Sequence, residues 1–291
     1  MKQWLRISVS CDQPQYAEEL LFAMGATSVS LVDNQDDAIL EPPIGTTPLW
    51  PDTRAVALFD REYAAADIIE SLRRELPSAA VMEDRLDDQD WIKSWSEQCE
   101  PLRFGERLWV CPREKAVHES GAVTVLLDPG LAFGTGTHPS TALCLEWLSR
   151  TRLDGKRVID FGCGSGILGI AALKLGAAHC IAYDIDPQAV IATRNNATDN
   201  AVADRMQVIE ADEPFPVQAA DLVLANILAR PLVELAPTLG ACLAPAADIV
   251  LAGLLRRQAD EVKQAYAGHC QFESDAQQDD WVRVHGRRKP S

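Results

Sequence analysis

The first 86 residues carry two rounds of a strand–helix–strand pattern. Hydrophobic and polar side chains alternate from Trp4 to Ser10, which is typical of a half-buried strand. Apolar residues then recur at helical spacing over 14–24, and Gly25 ends the predicted helix. The other predicted elements are strands at 28–32, 54–59 and 80–85, a helix at 64–76 and a loop at 33–49. This order predicts a small ferredoxin-like (split-βαβ) α+β domain over residues 1–86, a fold that carries no chemistry by itself.

A linker and a sheet extension follow this domain. Residues 87–101 predict a linker helix in which Trp91 and Trp95, four residues apart, share one face and pack onto a neighbouring domain. The segments 102–110 and 122–127 predict strands of an antiparallel extension that leads into the second domain.

The second domain, residues 102–291, alternates strands and helices. Helices are predicted at 141–150, 167–175, 187–200, 231–243 and 256–267, and strands at 158–161, 180–183, 206–210, 222–225, 248–251, 270–274 and 281–285. Alternating units of this kind predict a doubly wound parallel sheet, whose last two strands pair antiparallel because only a turn separates them. Ligands of such open sheets bind at the carboxyl ends of the strands.

A glycine-rich turn follows the first strand of this sheet. Residues 158–169 read Val-Ile-Asp-Phe-Gly-Cys-Gly-Ser-Gly-Ile-Leu-Gly. Gly162, Gly164 and Gly166 let the chain turn sharply, and let a ligand lie against the backbone at a helix N-terminus. The turn matches both the dinucleotide pattern G-x-G-x-x-G and the D-x-G-x-G-x-G pattern of S-adenosylmethionine (SAM) enzymes. We favour SAM, because an Asp160 carboxylate at the mouth of the loop repels a pyrophosphate and attracts the ammonium and sulfonium of SAM.

An acidic residue follows the next strand at the expected distance. Asp184 lies about 20 residues beyond the glycine turn, where a carboxylate accepts both hydroxyls of a ribose. Pro187 opens the next helix and Asp186 is placed to cap it, which leaves Asp184 for the ribose. The alternative is that Asp184 is a solvated acid at a strand end. The fold class predicted from these features is α/β, the seven-stranded Rossmann-like sheet of class I SAM methyltransferases.

A polar loop precedes the first helix of the second domain. Residues 128–141 contain four hydroxyl side chains and three glycines, yet also Phe133, a large apolar side chain that a simple linker does not need. We interpret the loop as a cofactor lid that includes Phe133. Thr141 and the free N–H groups of the first helical turn suit the carboxylate of a methionine moiety. The alternative is an ordinary helix cap.

Composition and charge narrow the function classes. The chain has 291 residues, 47% of them hydrophobic, enough for two domains with real cores. Its net charge of −16 argues against direct nucleic-acid binding and favours a basic partner. Eight cysteines without a C-x-x-C pair and five scattered histidines predict neither disulfides nor a metal site. Because no apolar run approaches the roughly 18 residues that span a bilayer, we expect a cytoplasmic protein without a membrane segment.

Asn226 lies at the end of another predicted strand. Amino-group methyltransferases carry an (N/D)-P-P-aromatic signature at this place, where residues 225–229 read Ala-Asn-Ile-Leu-Ala. This sequence keeps the Asn of the signature, as Asn226, but lacks both prolines and the aromatic residue. A ring there stacks on a planar target such as adenine, so its absence favours an aliphatic amine. The alternative is that Asn226 caps a helix opening at Pro231.

Three segments together, residues 127–139, 158–166 and 225–229, closely resemble the PrmA family. The resemblance covers the whole chain, including the small N-terminal domain and the tryptophan-bearing linker. The Phe-Gly-Thr-Gly-Thr-His loop within 127–139 is far more specific than the glycine turn.

The resemblance implies a SAM-dependent methyltransferase of ribosomal protein L11, a basic protein of the large subunit. It implies that residues 1–86 hold that substrate, and that the enzyme trimethylates an N-terminal α-amine and lysine ε-amines. The SAM contacts that it implies are Thr141, Gly162, Asp184 and Asn226. To these the reading of the loops adds Asp160, Gly164 and Phe133 as cofactor-binding residues.

Asn226 is the predicted catalytic residue, which holds the amine by its N–H groups while a general base stays unassigned. Three other functions remain open from the sequence: a methyltransferase of another amine, an NAD(P) oxidoreductase, and a SAM-binding regulator without catalysis.

Overall fold

The structure is a computed structural model that describes residues 3–35, 49–60, 62–87, 100–127 and 136–289. The chain divides into two compact units, Met1–Trp95 and Ser96–Ser291. The division falls within the predicted linker, residues 87–101. Residues 88–99 of that linker, with Trp91 and Trp95, lie outside the described residues, so the linker helix stays a prediction.

The first unit is a four-stranded antiparallel sheet with two helices, in the predicted order. The strands lie in the order β2-β3-β1-β4, as in a ferredoxin-like fold. Leu5, Ile7 and Val9, which alternate along β1, are buried together with Leu21 and Leu72 of the two helices. Its elements are β1 (Gln3–Ser10), α1 (Pro14–Ala23), β2 (Ser28–Asp33), β3 (Thr53–Asp60), α2 (Ala65–Glu75) and β4 (Ala80–Asp87).

The second unit begins with a separate three-stranded sheet, made of β5 (Leu102–Phe104), β6 (Leu108–Cys111) and β7 (Val123–Leu126). Strands β5 and β6 pair antiparallel, but β6 and β7 pair parallel. The prediction of an antiparallel extension is therefore wrong for the second pair. The single strand predicted over 102–110 is also divided, because the chain turns at Gly105, which has a positive φ of 60°.

The main sheet of the second unit has seven strands in the order β10-β9-β8-β11-β12-β14-β13. The first five are parallel, and β14 is antiparallel to both of its neighbours. This is the predicted class I methyltransferase topology. The strands are β8 (Arg157–Phe161), β9 (His179–Tyr183), β10 (Met206–Val208), β11 (Ala220–Asn226), β12 (Leu243–Leu255), β13 (Cys270–Gln278) and β14 (Trp281–Arg288).

Helices cover both faces of this sheet. Val158 packs with Ile170 of α4 in one buried cluster, whereas its neighbour Ile159 packs with Leu232 of α6 in the other. Adjacent strand residues thus face opposite layers, so β8 after the exposed Arg157 is apolar apart from Asp160. The helices are α3 (Pro139–Arg150), α4 (Ile167–Lys174), α5 (Pro187–Asp199), α6 (Ala229–Glu234), α7 (Ala236–Ala241) and α8 (Ala259–Tyr266).

The helix predicted over 231–243 is two short helices, α6 and α7. They meet at Leu235, two residues before Pro237. Proline lacks the N–H that a continuous helix uses there, which accounts for the break. Within the described parts of the chain, we find no helix with the length and apolarity needed to span a bilayer.

Candidate active site

The glycine turn lies at the carboxyl end of β8. Gly162, Gly164 and Gly166 have φ angles of 71°, 54° and 78°, in the left-handed region that favours glycine. The Gly162 N–H donates to the Tyr183 carbonyl across 2.8 Å, which ties the turn to the end of β9. A Cβ at Gly162 would lie 2.2 Å from Cγ2 of Ile227. The segment after β11 therefore packs directly against the turn, and only glycine fits between them.

Asp184 is bound to the same turn. Its Oδ2 accepts a hydrogen bond from the Gly164 N–H at 2.9 Å, and its Oδ1 accepts one from the Asp186 N–H at 3.0 Å. The Asp186 side chain in turn accepts from the Gln188 N–H at 2.9 Å, so the predicted cap of α5 is confirmed. Asp184 is half-buried beside the turn, and its contact with a ribose stays a prediction.

Asp160 does not lie at the mouth of the loop, so that expectation is wrong. Its side chain is 1% exposed, because β8 is covered on both faces by helices. The Gly169 N–H of α4 donates to its Oδ2 at 2.8 Å. Burial, and secondarily the Asp184 charge, raises the pKa of Asp160 to about 7 against the lowering effect of the Gly169 hydrogen bond. Asp160 thus anchors the start of α4, and its contact with SAM stays a prediction.

This pKa predicts a pH effect on stability. The folded-state pKa of about 7 lies above the ordinary value of 3.8, so the folded protein binds this proton more tightly than the unfolded chain does. The free energy of unfolding therefore falls as the pH rises from about 4 to 7. The Asp160→Asn variant has no titratable group at this position and so lacks this pH dependence, while its amide oxygen can still accept from the Gly169 N–H. Between pH 5 and 8, we expect wild-type unfolding free energy to fall by about 2–3 kcal/mol more than that of the variant. Urea titrations at both pH values measure this difference.

The exposed Asp204→Asn serves as the control and should behave as wild type. Equal pH dependence of the unfolding free energy in wild type and Asp160→Asn would contradict the raised pKa of Asp160.

Asn226 and Thr141 meet beside the turn, although 85 residues separate them. Asn226 is the last residue of β11, and its Nδ2 donates to Oγ1 of Thr141, in the first turn of α3, at 3.0 Å. The Asn226 Oδ1 is buried and accepts no hydrogen bond from any residue that the structure describes. Helix α6 starts at Ala229 with Leu228 at its N-cap, so the alternative role of Asn226 as a helix cap is wrong.

Two side chains that sequence reasoning did not assign hold the start of α3. The His138 Nδ1 accepts from the Ser140 N–H at 3.3 Å and so caps the helix. The His138 ring meets the Trp281 ring of β14 edge-on, with 4.6 Å between ring centroids. No sequence signal joins these two residues, because their contact depends on how β14 inserts beside β12. Phe133 lies outside the described residues, so the lid stays a prediction.

These groups form a donor and acceptor set that fits SAM. The carboxyl ends of β8, β9 and β11, which are neighbours in the sheet, bring together Gly162, Asp184 and Asn226. The Asp184 carboxylate can accept hydroxyls, and the backbone turn without side chains leaves room for a nucleoside to lie against it. The described part of the chain holds no group of three or more His, Cys, Asp or Glu residues arranged for a metal ion.

Comparison with known proteins relates the chain to one family. The profile of one family, described as ribosomal protein L11 methyltransferase (PrmA), matches residues 3–289. Two curated relatives are named ribosomal protein L11 methyltransferase. The one from Hahella chejuensis is 46% identical over 99% of both chains. The one from Azotobacter vinelandii is 47% identical over 98% of this chain and 99% of its own. The crystal structure of a ribosomal protein L11 methylase from Lactobacillus delbrueckii subsp. bulgaricus is 30% identical, with a TM-score of 0.59, and it covers 66% of this chain and 100% of its own. A full-length family match and relatives of this identity show that the protein belongs to the PrmA family, a family of SAM-dependent methyltransferases.

Proposed function

We propose that the protein transfers methyl groups from SAM to amines of ribosomal protein L11, namely the N-terminal α-amine and lysine ε-amines. The observation that carries this proposal is the Asn226 Oδ1 beside the glycine turn, which is buried and has no hydrogen-bond partner among the residues that the structure describes. A carbonyl oxygen at that place accepts an N–H, which an amine offers. The names of the relatives support L11 as the protein that presents the amine.

The chemistry mainly requires positioning. SAM supplies an activated methyl group, and in-line transfer to nitrogen needs the amine held close to it at the correct angle. Asp184 holds the ribose hydroxyls, and the turn from Gly162 to Gly166 lets the cofactor lie against the backbone. Thr141 accepts from the Asn226 Nδ2, and this hydrogen bond orients the amide so that its Oδ1 can accept an N–H of the substrate.

The amine must be neutral when it attacks. A lysine ε-amine near pKa 10.4 costs roughly 4–5 kcal/mol to deprotonate at pH 7, against about 1 kcal/mol for an α-amine near 7.8. Removal from water beside a cationic cofactor reduces this cost for both amines. Asn226 accepts an N–H and moves no proton, so its role is to orient the neutral amine.

The first unit supplies a surface for substrate capture in this proposal. Residues 1–86 hold 15 acidic and 7 basic residues, a net charge of −8, which favours a basic partner such as a ribosomal protein. Salt screens exposed charges over about 8–10 Å, so raised salt should weaken capture of the intact protein. A ribosomal substrate makes the cytoplasm the working compartment, with neither nucleic acid nor a membrane as a partner.

Removal of the Asp184 carboxylate should weaken cofactor binding. In Asp184→Ala we expect SAM affinity to fall by about 1.5–3 kcal/mol, the scale of hydrogen bonds to a charged group. Equilibrium dialysis or calorimetry with SAM measures the effect, and the exposed Asp204→Ala is the matched control. Unchanged affinity in a folded Asp184→Ala protein would remove Asp184 from the cofactor site.

Two assays test the function itself. Binding of SAM rather than NADH separates the methyltransferase from an oxidoreductase that uses the same glycine pattern. Transfer of labelled methyl groups from SAM to purified L11 separates an enzyme from a SAM-binding regulator. Binding of NADH with no binding of SAM would overturn the proposal.

A further inference from the structure

Helix α5 presents a row of polar side chains to the glycine turn. Thr193, which is fully buried, and Asn196, which is half-buried, lie three residues apart and so share one helix face. Both side chains make hydrogen bonds outside their own helix. The neighbouring Asn195 and Thr198 are exposed, and the Thr198 hydroxyl donates to the Arg194 carbonyl within the helix.

These two side chains hold consecutive carbonyls of the turn. The Thr193 hydroxyl donates to the Gly164 carbonyl at 3.0 Å, and the Asn196 Nδ2 donates to the Ser165 carbonyl at 2.8 Å. The preceding carbonyl, of Cys163, accepts from the Gly166 N–H at 2.7 Å. A fixed carbonyl fixes its whole planar peptide unit. Three successive peptide units of the turn are therefore oriented, two of them by α5.

The Thr193 methyl group also limits the turn. A Cβ at Gly166 would lie 2.8 Å from Cγ2 of Thr193, so this methyl group occupies the space beside the glycine. Threonine thus makes two separable contributions. Its hydroxyl bonds the Gly164 carbonyl and lies 3.3 Å from the Cys163 Sγ of the same turn, and its methyl packs on Gly166. Valine keeps the shape without the hydroxyl, and serine keeps the hydroxyl without the methyl.

A turn with three glycines needs such restraints. Glycine has the greatest backbone freedom of any residue, so ordering it for a ligand has a large entropic cost. We propose that Thr193 and Asn196 are positioning residues of the cofactor site, which hold the turn from Gly162 to Gly166 in its binding shape before SAM arrives. This inference rests on the proposed cofactor site and goes beyond it, since neither residue is required to touch SAM.

The inference predicts a kinetic signature. Loss of one preorganising hydrogen bond weakens ligand binding, because binding must then order the turn. In full-length Thr193→Val and Asn196→Ala we expect the Kd and KM for SAM to rise about threefold to tenfold each. The kcat at saturating SAM should stay within about twofold, since Asn226 and the amine are untouched. Thr193→Ser should retain most of the wild-type affinity.

The experiment measures SAM binding, steady-state kinetics and amide hydrogen exchange on the same set of proteins. Asn195→Ala and Thr198→Val serve as matched controls on the same helix and should leave all three readouts at wild-type values. Exchange at residues 162–166 without ligand should be faster in Thr193→Val and Asn196→Ala than in the controls.

The outcomes separate this inference from the proposed function. Wild-type SAM affinity and wild-type exchange in both Thr193→Val and Asn196→Ala would overturn the positioning role, even if methyl transfer to L11 succeeds. Loss of affinity in Thr193→Ser equal to that in Thr193→Val would also overturn it, because the hydroxyl would then be irrelevant. Failure to methylate L11, with SAM binding and exchange as predicted, would contradict the proposed substrate and leave the inference standing.

Discussion

Replacement of Asn226 by alanine should lower kcat by about 10- to 150-fold, which corresponds to roughly 1.5–3 kcal/mol for a hydrogen bond to a polar or charged group. The reason is that in the proposed mechanism the amine is oriented by the Asn226 Oδ1, which is buried at the carboxyl end of β11 and has no partner within the described ranges. SAM affinity should fall less than kcat. Single-turnover kinetics with SAM prebound measures the methyl-transfer step separately from binding.

Two further variants test this prediction, one as a control and one by removing the partner of Asn226. The exposed Asn195→Ala removes an equal side chain from α5 and should leave kcat unchanged. Thr141→Val removes the hydroxyl that accepts from the Asn226 Nδ2 and orients the amide, so it should also lower kcat. If Asn226→Ala strongly weakens SAM binding while SAM bound at saturating concentration still reacts at the normal rate, Asn226 is a cofactor ligand only.

Gly162→Ala should be the most damaging single change in the turn. Its φ of 71° disfavours any side chain, and the new Cβ would lie 2.2 Å from Ile227 Cγ2. We expect a loss of unfolding free energy of about 2–4 kcal/mol, from backbone strain and overpacking together, with SAM affinity falling as the turn moves. Thermal or urea unfolding and SAM binding measure the two effects.

Gly155 provides a matched control for this clash. Its φ of 73° is nearly the same, but a Cβ there meets nothing within 4 Å. Gly155→Ala should therefore lose only about 1 kcal/mol, the backbone component. In Gly162→Ala with Ile227→Ala, part of the lost SAM affinity should return. Equal destabilisation by Gly155→Ala and Gly162→Ala would show that the contact with Ile227 is unimportant.

The sequence predicts the parts of the site that depend on local order. The element order, the glycine turn, Asp184 after the next strand and the Asp186 cap all follow from periodicity and short spacings, and the structure has them where expected. The prediction of a SAM-dependent methyltransferase of the PrmA family is confirmed by the full-length match. The helix break at Leu235 could also be predicted from the sequence, because Pro237 follows two residues later.

The remaining features depend on contacts between distant segments. Asp160 is buried because helices cover both faces of β8, which a motif read in isolation does not show. The pairing of Asn226 with Thr141 spans 85 residues, and the parallel pairing of β6 with β7 depends on how the intervening chain crosses. Thr193 and Asn196 look like ordinary helix residues until α5 is packed against the turn.

The central claim is that this site methylates amines of ribosomal protein L11. Intact-mass spectrometry of purified L11, after incubation with the enzyme and SAM, tests it most directly, with L11 whose amines are chemically blocked as the control. We predict mass increases in whole methylation steps on free L11, none on the blocked protein, and a strongly reduced yield with Asn226→Ala. An unchanged mass of free L11, in the presence of enzyme that binds SAM, would contradict the account.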